Sequence, residues 1–148
     1  MSWKKLQAAG DVKPHKTSLS EISDLRAVVA RDLKDASLDG LSDDRRFATA
    51  YNAVLQLAKL VVACAGYRVS ARKGHHRVTF EAVELAMGPA IAKHVAYFDA
   101  CRVKRNTVDY DMANVTSESE ADDLVKKAAE FDRLVEAWIA KEHPALRP

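Results

Sequence analysis

The feature that most constrains the fold is a long apolar run with helical spacing. Residues 43–65 carry apolar side chains at three- and four-residue steps, which places them on one face of an α-helix. That face consists of Phe47, Tyr51, Val54, Ala58, Val61, Val62 and Ala65. Ser42 is suited to cap the start of this helix, and Gly66 stands where it can end. We expect the longest core helix of the protein here, and its apolar face requires other helices as partners.

Similar stripes predict the remaining helices. The predicted ranges are about 19–37, 80–87, 90–110 and 118–141. Ser18 with Glu21, and Ser117 with Glu120, have the spacing of a capping box at a helix N-terminus. No stretch alternates polar and apolar residues for long, so the sequence gives no indication of a sheet. The predicted fold class is all-α, an antiparallel up-down bundle of four main helices plus a short fifth one.

The length of 148 residues favours one domain. We expect an irregular N-terminal lead-in over residues 1–18, one helical domain over 19–142 and a frayed tail over 143–148. The first residues, "MSWKKLQAAG", lack the apolar core of a signal peptide, and polar residues interrupt every long apolar stretch. We therefore expect a cytoplasmic protein without a membrane span.

The charge distribution matters more than the net charge, which is only +2. A weakly charged chain binds nucleic acid only through a local patch. Residues 68–77, "RVSARKGHHR", contain Arg68, Arg72, Lys73 and Arg77 without an acidic residue. This run is a candidate patch, although a charge run of this kind is more often a solvated surface.

Metal and thiol chemistry find little support in the sequence. The adjacent pair His75 and His76 lacks a partner at metal-ligand spacing, so we expect solvent-facing imidazoles on a loop and neither a metal nor a cofactor. Cys64 and Cys101 fall in apolar helical stretches, where cysteines act as small core residues rather than nucleophiles.

The stretch "RVKRNTVDYD" at 102–111 crowds polar side chains near a predicted helix end. Arg102, Arg105 and Asp109 are spaced three and four residues apart, so they lie close to one helix face. Two interpretations are open at this point. The stretch is either a salt-bridged helix end or a site that holds a phosphate.

Together these segments resemble HEPN (higher eukaryotes and prokaryotes nucleotide-binding) domains over roughly residues 20–140. The resemblance rests on "RVKRNTVDYD" with the following "LVKKAAEFDRLVEAWI", and on "FATAYNAVLQLAKLVVACAGY" with the basic Gly-His loop after it. It implies an antiparallel helical bundle, commonly a homodimer, whose motif helices line a shared cleft. Many members are metal-independent RNases with an Arg-x(4–6)-His motif. Others bind nucleotides or assist a nucleotidyltransferase in two-component or toxin–antitoxin systems.

Transferred to this sequence, the resemblance makes Arg105 the motif arginine, Asn106 its polar follower and Tyr110 the residue at the histidine position. An unperturbed tyrosine, with a pKa of about 10, is only about one part in a thousand ionised at pH 7 and is a weak general base. It can still donate a hydrogen bond to phosphate or stack on a base. The predicted nucleotide- or RNA-binding residues are Arg102, Arg105, Asn106 and Tyr110, with Arg72, Lys73 and Arg77 as outer contacts.

Three functions follow as hypotheses. The first is a nucleotide- or RNA-binding module without efficient catalysis. The second is a metal-independent endoribonuclease that uses Arg105 with Tyr110 or with a histidine of the basic loop. The third is a non-catalytic dimeric interaction protein. The expected partners are a second copy of the chain, RNA or a nucleotide, and a nucleotidyltransferase or antitoxin protein.

Overall fold

The computed structural model describes residues 1–110 and 113–148, apart from the side chains of 107–110. Its elements are α1 (Trp3–Ala8), β1 (Val12–Pro14), α2 (Leu19–Asp35), α3 (Asp43–Cys64), β2 (Tyr67–Val69), α4 (His75–Met87), α5 (Ala92–Tyr110) and α6 (Glu118–Glu142). Short 3-10 turns occupy Pro89–Ile91 and Pro144–Leu146. The predicted all-α bundle is confirmed, with α2, α3, α5 and α6 as its main helices.

Helix α3 is the centre of the bundle and packs against α2, α4, α5 and α6. Its predicted core positions are buried, including Phe47, Tyr51 and Val54, except for Ala65, which is partly buried and follows the last residue of the helix. By length and composition alone α3 could cross a membrane. Most of it is buried inside the fold, however, as the core helix of a globular bundle is.

Aromatic rings connect three helices on one side of α3. Phe98 of α5 lies with its ring centroid 5.1 Å from that of Phe131 on α6 and 6.3 Å from that of Phe80 on α4. Cys64 and Cys101 are buried nearby in the same core. Burial raises the pKa of both thiols to about 11, which leaves them protonated and confirms the prediction of core residues.

The helix starts agree in part with the predicted caps. Ser117 and Glu120 form a complete capping box at the start of α6. At the start of α2, Ser18 accepts a hydrogen bond from the Glu21 amide, but the Glu21 carboxylate does not complete the box. It accepts instead from the Thr17 hydroxyl at 2.6 Å and pairs with His15 at 2.8 Å. These two partners, Thr17 first, lower the pKa of Glu21.

The expected irregular lead-in over residues 1–18 is wrong, because this segment contains α1 and β1. Strand β1 pairs antiparallel with β2, with Val12 opposite Val69. The segment is held by burial of Leu6 and Val12 against α3 and α4, and by Trp3, whose ring stacks on that of Tyr67 at 4.3 Å. Strands of three residues are too short to show an alternating pattern. We refer to the two strands as the N-terminal ribbon.

The expected frayed tail over residues 143–148 also needs correction. The turn at Pro144–Leu146 lies on the bundle, and Arg26 of α2 donates to the Leu146 carbonyl oxygen at 2.7 Å. The same guanidinium binds Glu136 of α6 through two hydrogen bonds. The tail is therefore tied to two helices by a single arginine.

Candidate functional site

The site begins at the turn between β2 and α4. Gly74 has a φ of +84°, a left-handed conformation that glycine adopts without strain, and the helix starts directly after it. The sequence predicted a start near Thr79, but the Thr79 hydroxyl donates to the His75 carbonyl oxygen at 2.7 Å inside the helix. As a result His75, His76 and Arg77 belong to the first turn of α4 rather than to a loop.

A cavity of about 430 Å³ lies between this turn and α5. Residues 71–77 line one side, and Arg102 and Asn106 line the other. We call it the basic cavity. It brings together five residues that the sequence analysis proposed for binding, namely Arg72, Lys73, Arg77, Arg102 and Asn106. Helix α5 presents Arg102 and Asn106 to the same cavity because they are one helical turn apart.

Each arginine of the basic cavity has an acidic partner. Arg72 pairs with Asp11, Arg77 binds Glu81 at 2.7 Å, and Arg102 binds Asp99 at 2.8 Å. The bond to Asp99 raises the pKa of Arg102. These pairs fix the side chains but use only part of the five N–H donors of each guanidinium.

Lys73 lies in the turn and is exposed. Among the described residues, no carboxylate pairs with it within 4.0 Å. Its ammonium group therefore adds positive charge at the mouth of the basic cavity.

Arg105 is not among the residues that line the basic cavity. Its guanidinium carbon is 5.7 Å from the ring centroid of Tyr51, a cation–π distance. Tyr51 is completely buried in α3, and burial raises the pKa of its hydroxyl, although the charges of Arg105 and Arg102 oppose this. The hydroxyl therefore stays protonated. The Tyr110 side chain lies outside the described residues, as does the predicted pairing of Arg105 with Asp109.

The two histidines are functional candidates that sequence reasoning placed wrongly. Nδ1 of His76 is 3.1 Å from the Tyr51 hydroxyl oxygen, and the imidazole is only half-exposed. Burial, with the positive charges of His75, Arg105, Lys59 and Arg102, lowers the pKa of His76 to about 4. His76 is thus a neutral, anchored side chain at pH 7, and the expectation of a solvent-facing loop imidazole is wrong for it.

His75 has a defined tautomer. Its Nδ1 is 2.8 Å from the Arg72 carbonyl oxygen, and a carbonyl oxygen only accepts, so Nδ1 carries the proton. In the neutral imidazole, Nε2 then has a lone pair that can accept a hydrogen bond or a proton. The signal available in the sequence was the Gly-His-His step itself, which fits a helix start as well as a loop.

A second cavity, of about 480 Å³, lies between α2, α3, β2 and the start of α4. We call it the apolar cavity, since seven apolar side chains line it: Leu25, Val28, Val62, Ala63, Tyr67, Val69 and Ala71. Charged side chains at its edge include Asp24, Lys59 and Arg68, all exposed. The two cavities share Ala71 and His75. Sequence reasoning missed the apolar cavity because its walls come from four separate segments.

Family comparison identifies the domain. The model of the SAV_6107-like HEPN family matches residues 39–136. This chain belongs to that HEPN family. The match covers α3, α4, α5 and most of α6, so it includes the basic cavity, whereas the N-terminal ribbon's first strand and α2 precede it. No curated protein and no solved structure matches the chain.

Proposed function

We propose that this HEPN domain binds the phosphate groups of a nucleotide or of RNA in the basic cavity. The observation that carries the proposal is the convergence of Arg72, Lys73 and Arg77 with Arg102 of α5 on one cavity. Arginine binds phosphate through its planar fork of donors, and lysine acts as a point charge. Asn106 adds an amide that can donate to phosphate or to a base.

The start of α4 supports the same ligand. The first N–H groups of a helix lack partners within the helix, and the helix dipole places partial positive charge there. Gly74 has no side chain with which to cap these groups, and among the described residues no other side chain does so. A phosphate at this position would therefore meet both backbone donors and cationic side chains.

We propose binding rather than efficient cleavage, because the family resemblance puts Tyr110 at the position of the catalytic histidine. His76 does not replace that histidine, since its lowered pKa and its contact with Tyr51 make it a poor proton carrier near pH 7. The proposed roles are phosphate contact for Arg102 and Lys73, and orientation of the cavity wall for Arg105 and His76.

RNA cleavage is the second candidate, and the tautomer of His75 is the observation that favours it. With Nδ1 donating to the Arg72 carbonyl, Nε2 is the nitrogen that could accept a proton from an RNA 2′-hydroxyl. Incubating end-labelled RNA with the protein in EDTA tests this activity. Cleavage that is abolished in His75→Gln, with binding retained, would establish the enzyme, and intact RNA would leave binding as the function.

Fluorescence anisotropy of a labelled single-stranded RNA, titrated at several salt concentrations, tests the proposed binding. Each phosphate contact contributes about −0.7 to the slope of log affinity against log salt. We expect Lys73→Ala to flatten this slope by about one contact. Lys126→Ala, which removes an exposed lysine of α6, is the matched control and should leave the slope unchanged. If RNA does not bind even at low salt, the non-catalytic interaction protein becomes the better hypothesis.

The proposal also includes the protein partners of this domain. We propose a homodimer in the cytoplasm, in line with the family resemblance, and an association with a nucleotidyltransferase or antitoxin. Co-expression with the products of neighbouring genes, followed by size-exclusion chromatography, tests the association. Separate elution of every pair would count against a two-component system.

A further inference from the structure

The adjoining position of the two cavities suggests that one ligand occupies both. Ala71 and His75 line the basic cavity on one side and the apolar cavity on the other. One cavity is basic and the other is apolar. A nucleotide has a matching group for each, namely a charged phosphate and a flat base with an apolar face. Its phosphate matches the basic cavity, and the base would extend past His75 between α2 and α3.

We propose that the apolar cavity receives the nucleobase of a nucleotide whose phosphate is held in the basic cavity. The inference rests on the proposed phosphate binding. It goes further by assigning a base site to a cavity of which one wall, on α2, lies outside the family match. Leu25, Val28 and Asp24 lie on α2, and all three precede residue 39, where the match starts.

The walls of the apolar cavity suit an aromatic ring. Leu25 and Val28 of α2 stand across from Val62 and Ala63 of α3, and together they offer apolar surface to a base. Tyr67 closes the cavity on the ribbon side. Its ring is held in place by Trp3, with which it stacks almost in parallel at an interplanar angle of 2°. The cavity is therefore preformed on that side, which lowers the ordering cost of binding.

The edge of the apolar cavity supplies polar groups for a base rather than for a lipid or a hydrocarbon. The Asp24 carboxylate can accept hydrogen bonds from an exocyclic amine, and Lys59 and Arg68 can donate to ring nitrogens or carbonyl oxygens. His15 and Glu21 form a hydrogen-bonded pair at the same edge, with both carboxylate oxygens within 3.0 Å of Nε2. A purely apolar ligand would have to desolvate these groups without replacing their bonds to water.

Calorimetric titration of the full chain with the four ribonucleoside 5′-monophosphates and with ribose 5-phosphate tests the inference. Ribose 5-phosphate has the phosphate but lacks the base. We expect at least one nucleotide to bind about ten-fold or more tightly than ribose 5-phosphate, as base stacking contributes elsewhere. Val28→Trp should fill the apolar cavity and remove this difference while ribose 5-phosphate still binds. Ala27→Trp, at an exposed neighbouring position of α2 outside the cavity, is the matched control and should keep the difference.

The outcomes separate the two proposals. Equal affinity of all four nucleotides and ribose 5-phosphate would overturn the base site and leave phosphate binding intact. If none of these probes binds, both proposals fail for mononucleotides. A nucleotide preference that survives in Val28→Trp would place the base elsewhere and also overturn the inference. Should Val28→Trp fail to fold by circular dichroism, the smaller Val28→Phe takes its place with the same expected loss of preference.

Discussion

The depressed pKa of His76 predicts a specific loss of stability in mild acid. In the folded protein the imidazole is half-buried against Tyr51, among the positive charges of His75, Arg102 and Arg105, and its pKa is about 4. In the unfolded chain it returns to about 6.5. Between these two values the unfolded chain binds a proton that the folded protein does not. The contribution of His76 to stability is therefore complete above pH 6.5 and is lost as the pH falls towards 4.

The magnitude follows from the size of the pKa difference. A shift of about 2.5 units corresponds to at most about 3.4 kcal/mol at 1.36 kcal/mol per unit. His76 is half-exposed, so solvent screening reduces this value, and we expect about 1.5 kcal/mol. For a domain of this size, that change lowers the thermal midpoint by about 3–6 °C.

Urea denaturation at pH 7.5 and pH 4.5, followed by circular dichroism, measures the effect. Carboxylates such as Glu21, whose pKa is lowered in the fold, also lose stabilisation in acid, so the parent protein alone does not isolate the imidazole. His76→Gln keeps a polar side chain near the Tyr51 hydroxyl and cannot titrate. We expect the parent to lose about 1.5 kcal/mol more than this variant between the two pH values. Equal losses would refute the view that His76 is held neutral in the fold.

Three further predictions concern the site and the assembly. Arg105→Ala should lower stability by about 0.5–1 kcal/mol through the lost contact with the Tyr51 ring, in keeping with the proposed role of Arg105 in the cavity wall. A loss of about 1.5–3 kcal/mol in RNA binding, restored only in part by Arg105→Lys, would instead make the guanidinium a phosphate contact and contradict that role. Tyr110→Phe should keep the fold and cost about 0.5–1.5 kcal/mol of ligand binding, whereas unfolding in thermal melts would place the hydroxyl in a structural network. Sedimentation of the parent protein at micromolar concentration should show a dimer. Val103 of α5 is 59% exposed, and Val103→Glu should shift the equilibrium towards the monomer. A strictly monomeric parent would contradict the proposed dimer.

The bundle could be predicted because the apolar spacing of its helices is a local pattern that extends over many residues. The apolar spacing of α3 persists over 22 residues, and a buried face of that length leaves few alternatives to a bundle of helices. The N-terminal ribbon could not be predicted in this way. Its two strands have three residues each, and Val12 pairs with Val69, from which it is separated along the chain by all of α2 and α3. The hydrophobic periodicity of a short segment therefore cannot predict such a pairing.

The candidate site shows the same difference between features that local sequence predicts and features that depend on the packing of distant segments. Arg102 could be chosen from the sequence because its spacing to Arg105 on α5 is local, Asn106 was chosen through the family resemblance, and Arg72, Lys73 and Arg77 stood out by charge. Their meeting in one cavity depends on the packing of α4 against α5. The anchoring of His76 by Tyr51 was missed because it depends on where α4 begins. The helix starts at His75, directly after a glycine with positive φ, and not near residue 80 as its apolar spacing predicted.

The neutral state of His76 and the proposed phosphate site are thermodynamically coupled. Burial is the larger cause of the low pKa of His76, but the charges of Arg105, Lys59 and Arg102 add to it, and a bound phosphate would offset part of that charge. Binding of an anion in the basic cavity should therefore raise the pKa of His76. By linkage, protonation of His76 must then raise the affinity for the anion by the same factor.

An oligouridylate is the suitable probe of this coupling, because neither its phosphodiesters nor its bases titrate between pH 5 and pH 7.5. Its affinity for the parent protein should increase as the pH falls through this range. A smaller increase is expected for His76→Gln, since the other cationic groups still respond in that variant. Identical pH profiles for the two proteins would mean that the anion binds too far from His76 to affect it, and would thereby move the proposed phosphate position away from the first turn of α4.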